Sequence, residues 1–331
     1  MRVLVTGGGG FLGSAICRQL LQRGEEVIAY QRSPAPALEA RGAQVVQGDL
    51  ADQAALGQAA VGCDGVIHTA AKAGAWGSYD DYYRPNVEGT DHVISACRKQ
   101  GVPYLVYTSS PSVVHGGGDI EGGDESLPYP ERFTAPYPAT KALAEQRVLA
   151  ANEPALRTVC LRPHLVWGPG DPHLMPRLLA RARRGSLRLP GVEKLIDTVY
   201  VDNAARAHLL ALDALRAGTD CAGRAYFISN DDPRPQAEII SLLLQAAGMD
   251  VPIRPVSPAL AGVAGAVLET AWRVLRLRGE PPLTRWTANQ LSTAHWYDIS
   301  AAKRDLGYVP QVSIEEGLER LATGFTQSLN H

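Results

Sequence analysis

Residues 2–22 constrain the fold more than any other stretch. Arg2-Val3-Leu4-Val5-Thr6 reads as a short buried strand, Gly7-Gly8-Gly9-Gly10-Phe11-Leu12-Gly13 follows at once, and Ala15 to Gln22 has helical character. A strand that turns through glycines directly into a helix is the context in which a Gly-x-x-Gly-x-x-Gly spacing carries weight. Gly7 permits the tight turn, Gly10 lets the backbone approach a pyrophosphate at the helix N-terminus, and Gly13 lets helix and strand pack closely. Phe11 and Leu12, on the same turn, belong to the same expected contact set. The bland alternative is a glycine-rich turn with no ligand.

A second strand, Glu26 to Tyr30, ends in Gln31-Arg32-Ser33, roughly where a dinucleotide fold selects its ribose. An NAD site is expected to present Asp or Glu there. Arg32 instead offers a guanidinium that pairs with a 2′-phosphate and stacks on adenine, so NADP(H) is the expected cofactor. A merely solvent-facing arginine is the alternative, but the missing acid counts separately against NAD. A third strand, Gln44 to Gly48, carries Asp49-Leu50 at its carboxyl end, within reach of the adenine; a turn or N-cap aspartate is an equal reading. A fourth, Asp64 to Thr69, runs into Ala70-Ala71-Lys72, small enough at its start for the strand end to lie close to a cofactor. A helical segment from about Tyr79 to Lys99 carries Asn86 at an interior position. Asparagine is poor there by propensity, which points to a structural or relay hydrogen bond.

The fifth strand, Tyr104 to Thr108, delivers Ser109-Ser110-Pro111-Ser112, and a hydroxyl at a strand's carboxyl end in an open α/β sheet faces the ligand crevice. Gly116-Gly117-Gly118 and Gly122-Gly123 follow, either a mobile loop that closes over substrate or a plain surface loop. Then comes Tyr137-Pro138-Ala139-Thr140-Lys141. A tyrosine and a lysine four apart share a helix face. Free tyrosine titrates near ~10, and each unit by which an ammonium lowers it is worth ~1.4 kcal/mol. The pair forms a positioned acid or base. Alone the pattern is weak; what precedes it in the chain gives it meaning.

A sixth strand, Thr158 to Leu161, ends in Arg162-Pro163-His164-Leu165-Val166-Trp167-Gly168, and Pro163, His164 and Val166 are expected near the cofactor. His173 to Gly185 reads as an amphipathic helix with four arginines. The chain then returns: Asp197 to Val201 alternates like a strand, Asp202 is a candidate cap for a helix Asn203 to Leu215, and Ala225 to Ser229 is another strand. The expected class is α/β, a Rossmann-type doubly wound parallel sheet with a smaller, mostly helical C-terminal substrate lobe. Residues 1–166 form the dinucleotide-binding domain, 197–229 return to it, and 167–196 with 230–331 build the lobe. Within the lobe, Leu260, Val263, Ala264, Val267, Leu268, Ala271, Trp272 and Leu275 recur at helical spacing, with Arg273, Arg276 and Arg278 at the end. A packed cap helix is the favoured reading. The sharper ones are a greasy wall for a long acyl substrate, or a surface docking to a membrane or partner.

Composition narrows the partners. A net charge of -2 with no basic run argues against nucleic acid. Cys17, Cys63, Cys97, Cys160 and Cys221 are scattered without Cys-x-x-Cys spacing, so neither disulfides nor a metal site is expected. The first strand begins at Arg2 with a short apolar run, no signal-peptide pattern, and a cytoplasmic location is the expectation. The longest apolar run, Pro258 to Leu268, is too short for a bilayer, which needs ~20 residues.

Thr6-Gly7-x-x-Gly10-x-x-Gly13, Asp49-Leu50, Tyr107-Thr108-Ser109-Ser110 and Tyr137-x-x-x-Lys141, in this order and spacing, resemble the extended short-chain dehydrogenase/reductase superfamily over nearly the whole length. Arg162-Pro163-His164-x-Val166-Trp167-Gly168-Pro169-Gly170-Asp171-Pro172-His173 and Thr198-Val199-Tyr200-Val201-Asp202-Asn203-Ala204 are similar to its 3β-hydroxysteroid dehydrogenase branch. Within that branch the chain looks most like the bacterial ketoreductases of olefin hydrocarbon biosynthesis. The resemblance implies NADPH-dependent reduction of the ketone of a long-chain, two-tailed β-keto acid, a hydrophobic small-molecule substrate. It also implies action beside other pathway enzymes; peripheral membrane contact is the alternative that the arginine-flanked apolar stripe offers, and a homodimer is expected. Carried over by position, it makes Tyr137 the acid/base, Lys141 its partner and a ribose ligand, Ser110 (rather than Ser109) the hydroxyl on the substrate oxygen, and Asn86 the supporting asparagine. One departure matters: the dehydratase branch places Asp-Glu after the fifth strand's threonine, where this chain has serines, so sugar dehydration is not expected. A steroid dehydrogenase and a nucleotide-sugar epimerase remain as rivals. From a different class, an NADP(H)-sensing binding module would be expected to lose the tyrosine or the lysine.

Overall fold

Alternation within the first strand sets the layering. In β1 (Arg2–Thr6), Val3 and Val5 enter one apolar core and Leu4 the other, none more than 1% exposed. Successive side chains of a strand point to opposite faces, so a strand buried from Val3 through Thr6 belongs to a sheet covered on both sides. The computed structural model, which describes residues 1–185 and 187–329, has that arrangement. Seven parallel strands form the sheet: β1, β2 (Glu26–Gln31), β3 (Gln44–Gln47), β4 (Gly65–His68), β5 (Tyr104–Thr108), β6 (Arg157–Pro163) and β7 (Arg224–Ile228). Their spatial order is β7-β6-β5-β4-β1-β2-β3. The winding reverses between β1 and β4, which opens a crevice at the carboxyl ends of those two strands.

Helices α1 (Phe11–Gln22) and, much later in the chain, Val201–Ala217 cover one face through Ile16, Leu20, Ala204, Ala211 and Leu215. On the other face α2 (Gln53–Ala59), α3 (Gly89–Gln100) and α4 (Pro136–Ala150) supply Leu56, Val93, Cys97, Ala144 and Val148. The late helix is α5. It starts at Val201, after a strand of only Val199–Tyr200, so Asp202 lies in its first turn and does not cap it from outside. There Asp202 pairs with Arg18 of α1 and with Arg320. The helical segment expected over 79–99 is three pieces: α-helix Tyr79–Tyr83, a π-helical turn Arg84–Glu88, and α3.

The remaining chain gathers at the carboxyl edge of the sheet. A four-stranded mixed sheet joins Arg234–Pro235, Leu195–Ile196, His295–Tyr297 and Ile120–Gly123. The last of these comes from the glycine-rich stretch read as a mobile or plain surface loop. Its backbone is instead partly tied down by pairing with residues near the C-terminus. The cap-helix expectation holds for only part of the stripe: Ala264, Leu268, Ala271 and Trp272 are half-buried. In α6 (Pro258–Val274) the inward residues are Ala261, Gly265 and Glu269, whereas Leu260, Val263 and Val267 are each 61% exposed and Val274 is 73% exposed. Close approach is the reason: a Cβ on Gly265 would lie 2.9 Å from the backbone of Thr284 and Arg285, so the small-residue face packs and the aliphatic face turns out. Among the described residues no helix is long and apolar enough to cross a membrane.

Asn203, buried on α5, fastens the C-terminal segment to this edge. Its Nδ2 donates to the Val312 carbonyl (2.7 Å) and to Asn230, and its Oδ1 accepts from the backbone N–H groups of Gln311 and Val312. Asn203→Ala strands several buried backbone groups and is expected to cost about 2–4 kcal/mol. A thermal melt with an unchanged midpoint would show that the clamp contributes nothing.

Candidate active site

The crevice is built first from the glycine turn. Gly7 adopts φ 72°, and the Gly10 N–H donates to its carbonyl. A Cβ on Gly13 would sit 2.1 Å from the Gly7 oxygen, so α1 lies against the turn as no other residue permits. The N-cap of α1 is Gly10, exposed, with no side-chain cap and no acid in the first turn. Free amides and the positive helix end are thereby left for an anion. Phe11 and Leu12 are half-buried on that turn. A cleft of about 320 Å³ opens beside it, lined by Gly9, Gly10, Phe11, Arg18, Pro169 and Gly170. A larger hollow of about 410 Å³, under Arg2, Gln44 and Gln58 at the opposite edge, has walls mainly of apolar surface and none of these groups, so the chemistry belongs with the smaller. These residues fit the diphosphate of a dinucleotide.

Toward the ribose end, Arg32 is exposed just past β2 and no acid stands at that position. Gln31, which sequence reasoning passed over, is the nearer neighbour. A Cβ on Gly9 would meet its Oε1 at 2.5 Å, and that buried oxygen has no hydrogen-bond partner. Asp49 is exposed and accepts from the Ala51 N–H, a local turn, while Leu50 packs under α3 against Gly89. Ala70 touches the glycine turn, since a Cβ on Gly7 would lie 2.9 Å from its backbone, and Ala71 is exposed beyond it. Lys72 points outward to Asp81, 3.8 Å away, with its ammonium over the Tyr82 ring.

Asn86 occupies the π turn, a distortion that often marks functional positions. Its amide is fully engaged: Oδ1 accepts from the Lys72 N–H (2.7 Å), and Nδ2 donates to the Lys72 carbonyl (3.1 Å) and to Thr140 Oγ1 (3.1 Å). The side chain ties the end of β4 to α4. Below it runs a buried polar chain in which Thr90 donates to the Asn86 carbonyl and His68 contacts both Thr90 and Thr6. Burial pushes the His68 imidazole down to about 3.

On α4, Tyr137 and Lys141 stand one turn apart as the spacing requires. Burial raises the Tyr137 phenol above its ordinary value, and a hydrogen bond with the Ser110 hydroxyl opposes that rise. Ser110 also meets Ser112 Oγ at 2.9 Å, whereas Ser109 is buried with its hydroxyl unpartnered, so Ser110 is the serine brought to the tyrosine. Lys141 is 2% exposed; its Nζ donates to the Thr108 carbonyl (2.5 Å) and lies 4.1 Å over the Tyr107 ring. Desolvation lowers its ammonium to about 7, against the attraction of Glu145. Glu145, one further turn along, is wholly buried. It accepts from Arg162 Nε (3.0 Å) and Nη2 (2.6 Å) and from the Tyr129 hydroxyl (2.6 Å). The signal for this pair was present as an acid four residues past Lys141 and an arginine at a strand end, but neither type announces burial.

Pro163 closes β6, and the His164 ring contacts those of His295 (4.8 Å between ring centres) and Tyr297 (5.4 Å). Val166 pairs with Val199 in a two-stranded ladder, and Leu165 before it is held at φ 42° and 37% exposed. Over Tyr137 sits Trp286, edge-on at 6.3 Å, from helix α7 (Arg285–Gln290), an apolar wall that no local motif indicated.

Comparison with known proteins agrees with this geometry. Over 324 residues the chain is 57% identical to a "2-alkyl-3-oxoalkanoate reductase" of Stenotrophomonas maltophilia (strain K279a), covering 97% of this chain and 98% of that protein. It is 50% identical over 326 residues to a protein of the same name from Shewanella oneidensis, covering 96% and 84%. Among solved structures, MoeE5 in complex with UDP-glucose and NAD matches with a TM-score of 0.75 at 26% identity, over 99% of this chain and all of that one. Residues 4–256 match the model of the 3-beta hydroxysteroid dehydrogenase/isomerase family, and the chain belongs to that family.

Proposed function

We propose that this protein is an NADPH-dependent reductase that converts the ketone of a long-chain 2-alkyl-3-oxoalkanoate to a secondary alcohol. One observation carries the reading: Tyr137 and Ser110 face one point at the carboxyl edge, with the Lys141 ammonium buried beneath. The full-length similarity to two proteins named 2-alkyl-3-oxoalkanoate reductase supports the substrate class. Trp286 beside Tyr137 gives the reacting end an apolar wall, in keeping with an acyl chain. In this reading residues 1–166 and 197–229 hold the dinucleotide, and 167–196 with 230–331 hold the substrate.

The open N-terminus of α1 and the glycine turn bind the diphosphate, Arg32 the 2′-phosphate, and Gln31 Oε1 accepts from a ribose hydroxyl. A bound NADPH would supply the hydride for the ketone carbon. Tyr137 gives its hydroxyl proton to the oxygen on which charge grows, and Ser110 donates a second hydrogen bond there. Lys141, aligned by the Thr108 carbonyl, offsets the charge left on the phenolate. Asn86 acts through Thr140 and the Lys72 backbone, holding the β4 end and α4 in register.

NADPH oxidation measured against long-chain β-keto acids, steroid ketones and UDP-sugars tests the substrate; turnover confined to the steroids or sugars would replace this reading. Tyr137→Phe is expected to keep NADPH affinity while kcat falls by about 10²–10⁴-fold; a near-normal kcat would remove the tyrosine from the chemistry. Arg32→Ala should weaken NADPH by about 10–100-fold and NADH far less, as isothermal titration of both cofactors would read. Equal losses would refute the 2′-phosphate contact. Lys141 has a consequence for stability. Unfolded, it keeps its proton up to about 10.5; folded, it releases it near 7. Between those values the unfolded chain binds one more proton, so stability rises with pH across that window. The melting temperature of the wild type relative to Lys141→Met is therefore expected to rise between pH 7 and 9.5, and a constant difference would count against a desolvated ammonium.

A further inference from the structure

The outer face of α6 is unpartnered. Leu260, Val263, Val267 and Val274 follow one another at helical spacing, 61–73% exposed, and Leu275 (65%) and Leu277 (43%) extend the stripe past the helix end. Arg273, Arg276 and Arg278, all exposed, flank its last turn. Neither Arg276 nor Arg278 has an acidic partner among the described residues. The nearby acids are taken, Glu269 by Arg285 and Glu280 by Arg177. We propose that α6 docks this protein onto the surface of an anionic lipid bilayer, lying in the plane of the interface with its aliphatic stripe down and its arginines among the headgroups.

Two features select a bilayer over another protein for this aliphatic stripe. It is small: a helix of 17 residues is about 26 Å long, and one side-chain row covers on the order of 250 Å², against roughly 800 Å² per partner in a stable dimer. And the charge is of one sign, complementary to anionic lipid, on a chain whose overall charge is -2. The length and hydropathy of α6 let it lie on a bilayer and not cross one.

Docking here places the crevice at the lipid. The inner face of α6 is bolted to α7 by Glu269, which accepts from Arg285 Nε (2.8 Å) and from the Arg285 N–H (2.7 Å), and the next residue, Trp286, lies against Tyr137. On the other side the Arg273 guanidinium stacks 5.3 Å over Trp76, just beyond Lys72. A long-chain ketone would pass from the leaflet to Tyr137 without crossing water, so the inference rests on the proposed reductase reading for its purpose, though not for its test.

The test is co-sedimentation of the full chain with vesicles of phosphatidylglycerol and phosphatidylethanolamine, or of phosphatidylcholine alone. The wild type is expected to bind the anionic vesicles and bind phosphatidylcholine weakly. Arg276→Glu/Arg278→Glu should lower anionic binding by about thirtyfold, at roughly 1 kcal/mol per arginine removed, and Val263→Glu/Val267→Glu by about tenfold or more on both vesicles. Both variants should keep wild-type melting temperatures and wild-type kcat/KM on a short, water-soluble 3-oxo ester. Absent wild-type binding, or variants that bind as the wild type does, overturns the proposal; so does a concentration-dependent dimer that the same substitutions dissolve, which would assign the stripe to a second copy. An inactive protein that still binds anionic vesicles through these residues would sink the reductase reading and leave the docking intact.

Discussion

The arrangement depends on burying the Lys141 ammonium. A lone charge at 2% exposure is costly, and the surroundings are what make it tolerable: a carbonyl from the end of β5, the π face of Tyr107, and Glu145 one turn along α4. Glu145 is itself buried and satisfied by Arg162 and Tyr129, so three segments far apart in sequence converge beneath one helix. With α4 held in this way, Tyr137 has little freedom in where it projects. The desolvation that lowers the lysine also raises the tyrosine, which keeps a proton on the phenol.

Asn86 extends the same rigidity to the cofactor side. A π turn sets its amide against the backbone of Lys72 on one flank and Thr140 on the other, so the end of β4 and the tyrosine helix move together. One side chain, Asn86, thus registers the backbone beyond β4 against the tyrosine helix. The glycine turn does the complementary task by having no side chains at all, which lets strand, helix and ligand approach within distances a Cβ would forbid.

How much of this was legible in the chain follows from range. The glycine turn, the strand-end serines and the tyrosine–lysine spacing are local patterns whose geometry is set within one or two turns of backbone, and all of them fall at the carboxyl edge. The His164 ring could not be placed that way, because its partners, His295 and Tyr297, are more than a hundred residues downstream. Trp286 beside Tyr137 and the Gln31 oxygen behind Gly9 were missed for the same reason. The glycine-rich stretch after β5 was misjudged because pairing of Ile120–Gly123 with His295–Tyr297 is a non-local event that glycine content does not report.

The helix α6 divides the two kinds of information most clearly. Periodicity in the sequence marked a helix with one apolar face through residues 260–275, just as the apolar run Val3-Leu4-Val5 marked a buried strand. Periodicity says which residues share a face. It carries nothing about which face meets the rest of the protein. That was decided by tertiary packing: Gly265 fits within 2.9 Å of the Thr284–Arg285 backbone where valine or leucine would not, so the small face went in and the aliphatic face remained outside. The glycine turn and the tyrosine–lysine spacing are local and therefore readable in the chain; which face of α6 stays exposed depends on long-range contact and needed the folded molecule.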